Sequence, residues 1–238
     1  MVLAIIMEKI EDKIKRISRI PGVLNWARQN FSRTDKTAAA LKKLADAKIT
    51  VSLNPVYNLC AKLAYREITF DSAFSKASGY EGFLKNAASE ILPLFQDYLV
   101  QNQVEAVPDF KEFRVPFPIG SNIDGKVASI PVRPTFVYVR DGRLRPIFLL
   151  GWVDTPLDYH QRRLISAIIR RAILTQQDFL GSDAEIVTFP RIKGTKQRYQ
   201  GGWNISSFPD LSDEELSAQF SRYNKALQQV IKSLTGNL

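Results

Sequence analysis

The sequence has only one cysteine, Cys60, and only one histidine, His160. One cysteine cannot form an intramolecular disulfide or a cysteine-ligated metal cluster, so both are excluded. No serine, histidine and aspartate set, zinc-ligand spacing or phosphate-binding glycine loop gives His160 recognised catalytic partners. Cys60 has apolar neighbours, which predicts a core residue rather than a nucleophile.

Long apolar runs are also missing. No stretch approaches the roughly 18 apolar residues that a membrane span requires. The apolar residues 1–7 are followed at once by Glu8 and lack the basic leader and cleavage site of a secretory signal. We therefore expect no membrane association, and the scarcity of cysteine favours a reducing, cytoplasmic location.

The chain does contain enough apolar sequence for a folded core, together with an excess of positive charge. Its 238 residues are 45% hydrophobic, which is sufficient for one large domain or for a core with an appendage. Lysine and arginine number 33 against 24 acidic residues, giving a net charge of +9. This balance favours an anionic partner such as nucleic acid, through release of counterions.

Helical patterns occupy most of residues 4–102. The first is an amphipathic basic helix that carries Ile10, Ile14 and Ile17 on one face and ends at Pro21 and Gly22. From residue 103 the composition changes to prolines, glycines and β-branched residues, which indicate strands. We predict a helical region over residues 1–102 and an α/β core with a C-terminal helix over residues 103–238. Because no flexible linker separates them, we expect the helices to pack on the sheet.

A β-hairpin is the clearest local signal. We place strands near residues 112–117, 128–140 and 144–153, with a shorter strand over residues 184–190. Asp141 and Gly142 separate the second and third strands and favour a two-residue antiparallel turn. The flanking residues are apolar on both strand faces, as in strands covered by helices on both sides. The predicted fold is α/β: a three-layer α/β/α core around a mixed sheet, with an N-terminal helical region packed on it.

Gln161 is an unusual residue in the helix predicted over residues 158–175. On a helical wheel, Ile165, Ile168 and Ala172 lie within roughly 40 degrees of it, so the amide is at the centre of the buried stripe. A buried amide needs hydrogen-bond partners. Either Gln161 satisfies a nearby backbone group at the end of a strand, or it faces a functional site.

The segment 191–203 combines cations with aromatic residues. The residues that we expect to contact nucleic acid are Arg191, Lys193, Lys196, Arg198, Tyr199 and Trp203. Cations for phosphates and aromatic rings for base stacking are typical of proteins that bind single strands or distorted duplexes. A basic loop on a basic protein is also often only solvated, and both interpretations stay open.

From residue 89 to residue 203 the order of elements is helix, strand, Asp-Gly hairpin, apolar strand and a helix that begins near a glutamine. This order resembles the PD-(D/E)XK superfamily of restriction-endonuclease-like nucleases. In that family a helix glutamate, an aspartate after proline and a Glu-x-Lys strand motif hold Mg²⁺ and activate water, while a helix glutamine supports the site. The resemblance assigns Gln161 to the helix glutamine and Glu90 to the helix glutamate.

The remaining family positions depart from the pattern. Thr135 follows Pro134 where the aspartate is expected, and Leu150 and Trp152 stand where the glutamate and lysine are expected. Neither a hydroxyl nor an aliphatic side chain replaces a carboxylate on Mg²⁺. The resemblance therefore implies a decayed catalytic centre or relocated carboxylates, for which Asp154 and Glu112 are the candidates.

These observations predict a nucleic-acid-binding protein on a degenerate PD-(D/E)XK-like scaffold, with DNA favoured and without catalysis. One alternative is an active nuclease that uses Mg²⁺ as its cofactor through relocated carboxylates. Another alternative is a non-enzymatic subunit of a larger assembly, which docks through its helical region to a protein partner or to a second copy of the chain.

Overall fold

The computed structural model describes residues 2–47, 52–121, 127–154 and 157–236. These ranges begin with six α-helices, and the strands follow, with one α-helix between the fourth and fifth strands and another after the last strand. The elements in chain order are α1 (Val2–Ser18), α2 (Val23–Arg28), α3 (Thr34–Ala45), α4 (Asn54–Ala64), α5 (Phe70–Ser78), α6 (Gly82–Gln101), β1 (Val115–Ser121), β2 (Val127–Val132), β3 (Phe136–Arg140), β4 (Arg143–Leu150), α7 (Tyr159–Ile169), β5 (Glu185–Thr188), β6 (Gly201–Asn204) and α8 (Asp213–Thr235). A π-helical turn, Arg170–Leu174, extends α7.

The central sheet has four strands in the order β3-β4-β5-β6. Strand β4 is antiparallel to β3 and parallel to β5, and β6 is antiparallel to β5. Parallel neighbours need a crossover connection, which α7 provides between β4 and β5. The sheet is therefore mixed, as the sequence predicts.

The single strand predicted over residues 128–140 is wrong, because this stretch forms two strands in different sheets. Strand β2 pairs with β1 in a separate two-stranded sheet, whereas β3 belongs to the central sheet. Pro134 lies in the break between them, and a proline has no N–H group to continue a ladder. The strand predicted from residue 112 begins instead at Val115.

The predicted hairpin between β3 and β4 is confirmed. Asp141 and Gly142 have φ angles of 52° and 72°, the left-handed pair that a two-residue turn of the I′ type requires. Arg140 pairs with Arg143 on either side of the turn. The register places alternate residues of the two strands on opposite faces of the sheet.

Helices cover both faces of the central sheet, which confirms the three-layer core. Val137, Phe148 and Ile186 pack in one core with α7 and α8. Tyr138, Leu149 and their same-face neighbours pack in a second core with α4, α5 and α6. Both faces of β4 are buried because each supplies one of these cores.

The N-terminal helical region packs on the sheet, but it does so in two groups. Helices α1, α2 and α3 join the core with α7 and α8, whereas α4 to α6 form the layer on the opposite face. Cys60 lies in this second layer, fully buried, and burial raises the pKa of its thiol. The structure thus confirms Cys60 as a core residue. None of the helices within the described ranges has the length and apolar character needed to cross a bilayer.

Candidate nucleic-acid interface

The segment that follows β5 forms a small hairpin. We call residues 190–199 the finger. Arg191 and Arg198 form an antiparallel bridge at its base, and the Ile192 N–H donates to the Gln197 carbonyl at 2.8 Å. The Tyr199 N–H donates to the Pro190 carbonyl at 3.0 Å. These backbone bonds give the segment a defined conformation rather than that of an irregular loop.

The tip of the finger is exposed over six consecutive residues, 192–197. Lys193 and Lys196 are both on this tip. Two apolar side chains flank the lysines, Ile192 at 42% exposure and Tyr199 at 48%. An exposed aromatic ring beside two free ammonium groups is suited to a flexible polyanion with flat bases.

Arg198 attaches the base of the finger to the core, and its side chain is only 1% exposed. Its Nε donates to Glu90 Oε2 at 2.6 Å. Its Nη1 donates to the carbonyls of Gly151 at 3.1 Å and Trp152 at 3.4 Å, and also to the carbonyl of Phe189. The guanidinium is therefore enclosed by oxygen atoms from the carboxyl ends of β4 and β5 and from α6.

Arg191 makes a second contact with the same carboxylate. Its Nη2 donates to Glu90 Oε1 at 2.6 Å, and its backbone N–H donates to the Val153 carbonyl at 2.8 Å. Burial tends to raise the pKa of Glu90, but the hydrogen bonds and positive charges of the two arginines outweigh burial and lower it. The Glu90 carboxylate is thus held ionised between the two strands of the finger.

This ion cluster changes the role expected for two of the six predicted nucleic-acid contacts. Arg198 is buried and Arg191 is bound to Glu90, so these guanidinium groups orient the finger rather than present free charge. Lys193, Lys196 and Tyr199 remain exposed, as the prediction requires.

The environment of Trp203 is not that of the exposed stacking platform that the sequence predicts. It lies in β6, half-buried, and the Arg162 guanidinium is 5.0 Å from its ring centroid. One face of the ring is therefore covered by a cation. Trp152 has a similar arrangement, with the Arg28 guanidinium 4.5 Å from its ring centroid.

Gln161 is fully buried, as predicted, and both ends of its amide are occupied. Its Oε1 accepts from the Asp158 N–H at 3.0 Å, which completes a capping box at the start of α7. Its Nε2 donates to the Arg28 carbonyl at 3.0 Å. The structure favours the structural interpretation, with the partner at the end of a helix, α2, rather than at the end of a strand.

The other proposed catalytic carboxylates have separate environments. Glu112 lies in a turn before β1, not in a strand, and its exposed carboxylate pairs with Arg133 at 3.2 Å. Asp154 is exposed, and it directly follows Val153, whose carbonyl accepts from the Arg191 N–H at the base of the finger. Glu90 is bound by its two arginines. In the described part of the chain, no three histidine, cysteine, aspartate or glutamate residues are grouped as a metal site would require.

The three positions where the resemblance would place the missing metal-binding and lysine residues lie around the carboxyl end of β4. Thr135 extends the pairing of β3 with β4, and its hydroxyl accepts from the Leu149 N–H at 3.1 Å. Leu150 is buried in the core, and Trp152 stacks with Arg28. Among the described residues, Arg198 is the one buried cation at this end of the sheet. Its guanidinium is surrounded by a carboxylate and three carbonyl oxygens. Such oxygen sets also bind hard metal cations, but here a guanidinium fills the space.

The cluster of Glu90 with the two arginines was not recognisable from sequence. Glu90 is 101 residues from Arg191 and 108 residues from Arg198, so no local spacing connects them. The same applies to Tyr57, whose hydroxyl accepts from the Gly151 N–H at 2.7 Å. Burial raises the pKa of Tyr57 to about 12, so the hydroxyl stays neutral in this contact.

Comparisons with known proteins add no family assignment. A scan against protein-family models found no matching family, and a search of curated proteins found no matching protein.

Proposed function

We propose that the protein binds nucleic acid through the finger. In this proposal Lys193 and Lys196 contact phosphates, and Tyr199 stacks on a base that is unpaired or displaced from a duplex. The observation that carries the proposal is an exposed tip with two lysines and two apolar side chains, held in place by a buried arginine.

The rigid attachment of the finger supports this function. A flexible lysine-bearing loop loses conformational entropy when it binds, whereas an ordered hairpin has already lost most of it. Arg198 and Glu90 fix the base of the finger, so the exposed side chains start from a defined geometry. The core of the sheet supplies the rigid support, and the tip supplies the contacts.

The same arrangement gives no support to a nuclease. Glu112 and Glu90 each pair with arginine, and Gln161 has both ends of its amide occupied within the fold. We therefore propose binding without a catalytic step, on a scaffold whose relation to the PD-(D/E)XK superfamily remains part of the proposal.

The first test uses the two tip lysines. A variant with Lys193→Gln and Lys196→Gln should bind a fluorescently labelled single-stranded oligonucleotide roughly tenfold more weakly near 0.1 M salt. Two lost phosphate contacts should also reduce the slope of log affinity against log salt by about 1.4. Fluorescence anisotropy over a salt series measures both quantities.

A matched control removes the same charge elsewhere. Lys42 and Lys43 are exposed on α3, and replacing both with glutamine lowers the net charge by the same two units. This control should leave the affinity and slope nearly unchanged. Equal effects of the two double variants, or no salt-dependent binding by the unaltered protein, would overturn the proposal.

Tyr199→Ala separates stacking from charge. Loss of one stacked base should weaken binding by about tenfold, since such contacts contribute about 1 to 3 kcal/mol, while the salt slope stays the same. An unchanged affinity for single strands would show that the ring is not a contact.

A further inference from the structure

A cleft lies at the end of the central sheet opposite to the finger. The finger follows the carboxyl end of β5, whereas the cleft is beside the β3–β4 turn and the segment that leads into β5. The cleft has a volume of about 370 Å³. Its lining includes Arg140, Arg143, Arg145, Ser182 and Asp183.

Three of the lining residues are arginines, and the strand register brings them together. Arg140 pairs with Arg143 across the hairpin, and Arg145 is two residues further along β4. Because side chains two residues apart share a face, all three start from the same face of the sheet. Like charges this close repel one another unless anions lie between them.

Two of the arginines have little compensation from carboxylates. Arg140 forms a long ion pair with the exposed Asp141, with 3.9 Å between Nε and Oδ2, and the nearby Tyr138 and Glu185 also raise the pKa of its guanidinium. Arg143 donates to the Gly181 carbonyl and has no ion pair within the described residues. Both guanidinium groups therefore retain donors for another acceptor.

The acids beside the cleft are partly buried and accept hydrogen bonds from other residues of the protein. Asp183 accepts from the Ser206 N–H at 3.1 Å and the Ser206 hydroxyl at 2.6 Å. Glu185, beside the wall, accepts from the Tyr98 hydroxyl at 3.3 Å. Arg145 approaches both carboxylates only at 3.8 Å. Arg145 therefore compensates these two acids in part, and Arg140 and Arg143 are the arginines of the cleft left to face an incoming anion.

Two further donors at the cleft have no hydrogen-bond partner among the described residues. They are Nε of Arg145 and the hydroxyl of Ser182, and both atoms are shielded from solvent. Arg145 Nε is 3.8 Å from Glu185 Oε2, which is too long for a hydrogen bond, so among the described residues neither donor is committed to an acceptor. A small movement of either side chain would turn its donor toward a bound anion.

We infer that this cleft binds a phosphate group. Guanidinium groups form paired hydrogen bonds with oxyanions, and a tetrahedral phosphate accepts from several guanidinium groups at once, where a carboxylate has only two oxygens. The volume is in the range of small-molecule sites and exceeds what one phosphate fills, so the group belongs to a larger molecule. Its source is either a small phosphorylated molecule or the terminal phosphate of a nucleic-acid strand.

The test is a titration of the ¹⁵N-labelled protein with inorganic phosphate, at constant ionic strength adjusted with chloride. Backbone amide signals of residues 141–145 and 181–183 should shift in a saturable way. Arg140→Gln and Arg143→Gln should each weaken this binding by about tenfold or more. Arg133→Gln, an exposed arginine outside the cleft, should leave it unchanged.

Two oligonucleotides of one sequence, with and without a 5′-phosphate, distinguish the sources. Stronger shifts at the cleft with the 5′-phosphorylated strand identify a strand terminus. Saturation by inorganic phosphate with no difference between the strands identifies a small molecule. The inference is overturned if the cleft signals shift with neither inorganic phosphate nor the 5′-phosphorylated strand. It is also overturned if the cleft signals of Arg140→Gln and Arg143→Gln shift as much as those of the unaltered protein. The amide signals outside the cleft show directly whether each variant keeps the fold, so a loss of binding is read only from variants whose other signals are unchanged. A negative result for phosphate binding at the cleft does not contradict nucleic-acid binding by the finger, because the finger variants are measured in a separate experiment.

Discussion

Glu90 connects three parts of the chain through one carboxylate. It lies on α6, while its partners Arg191 and Arg198 belong to the two strands of the finger. Replacing a buried ion pair with apolar residues is often tolerated, but removing one partner leaves the other charge buried and uncompensated. Loss of the Glu90 carboxylate is therefore expected to destabilise the fold mainly because it leaves the Arg198 guanidinium buried without a counter-charge.

Glu90→Gln should lower the free energy of unfolding by about 3 kcal/mol, because the Arg198 guanidinium would remain buried without its counter-charge. Urea unfolding measures the change. Glu112→Gln is the matched control, since it removes a carboxylate paired with arginine at an exposed site, and it should cost less than about 1 kcal/mol. Similar costs for the two variants would contradict the assigned role of Glu90.

The ionisation of Glu90 gives this effect a pH dependence. Its pKa is lowered in the folded protein, because the hydrogen bonds and charges of two arginines outweigh the effect of burial. Stability from a lowered carboxyl pKa is present above the pKa of the unfolded chain and is lost as the pH falls through that of the folded protein. The stability difference between the unaltered protein and Glu90→Gln should be constant above about pH 5 and shrink below about pH 4. A difference that is the same at pH 3.5 and pH 7 would be incompatible with this account.

At the scale of elements, the finger depends on the pairing of β5 with β6. Gly202 pairs with Val187, and a Cβ atom at Gly202 would be 2.4 Å from the Ile186 carbonyl oxygen. That distance leaves no room for any side chain. Glycine is therefore required at this position to keep the two strands, and the finger between them, in register.

Gly202→Ala should destabilise the protein by about 2 kcal/mol, because the new methyl group meets backbone atoms that cannot move aside easily. Gly79→Ala is a suitable control, since its Cβ would make an ordinary contact at 3.4 Å and its φ angle of −77° suits alanine. Thermal unfolding compares the two. An equal melting temperature for both variants would show that the β5–β6 pairing tolerates separation.

The elements that sequence predicts are those fixed by local patterns. The Asp141-Gly142 turn depends on adjacent residues and is found as expected. The break between β2 and β3 was missed, because the apolar pattern continues through Pro134 while the pairing partner changes. The finger was recognised by composition, but its attachment through Glu90 depends on tertiary contacts that no local pattern encodes.

For the whole molecule, the net charge overstates the free positive surface. Several arginines outside the cleft donate to backbone carbonyls of neighbouring segments: Arg16, Arg162, Arg163, Arg170, Arg171 and Arg198. Such guanidinium groups stabilise the packing of loops and helix ends and are less free to bind phosphate. The net charge is therefore weaker support for an anionic partner than the exposed lysines of the finger are.

The opposite ends of the central sheet thus carry different chemistry. The finger offers two lysines and an aromatic ring on a protruding hairpin, whereas the proposed phosphate site is a cleft between strands. Strand β4 spans eight residues, which corresponds to about 25 Å between the two regions. A strand of nucleic acid bound at the finger would need to follow the sheet to reach the cleft.

The most direct test of the central claim is to map the contact surface by amide chemical shifts. A single-stranded oligonucleotide is added to the labelled protein at about 0.1 M salt, where contacts with phosphates still contribute to affinity. The account predicts that signals of residues 192–197 and Tyr199 shift first and saturate together, and that Lys193→Gln with Lys196→Gln raises the oligonucleotide concentration at half-saturation roughly tenfold. Saturable shifts confined to other surfaces, with the finger unaffected, would contradict it.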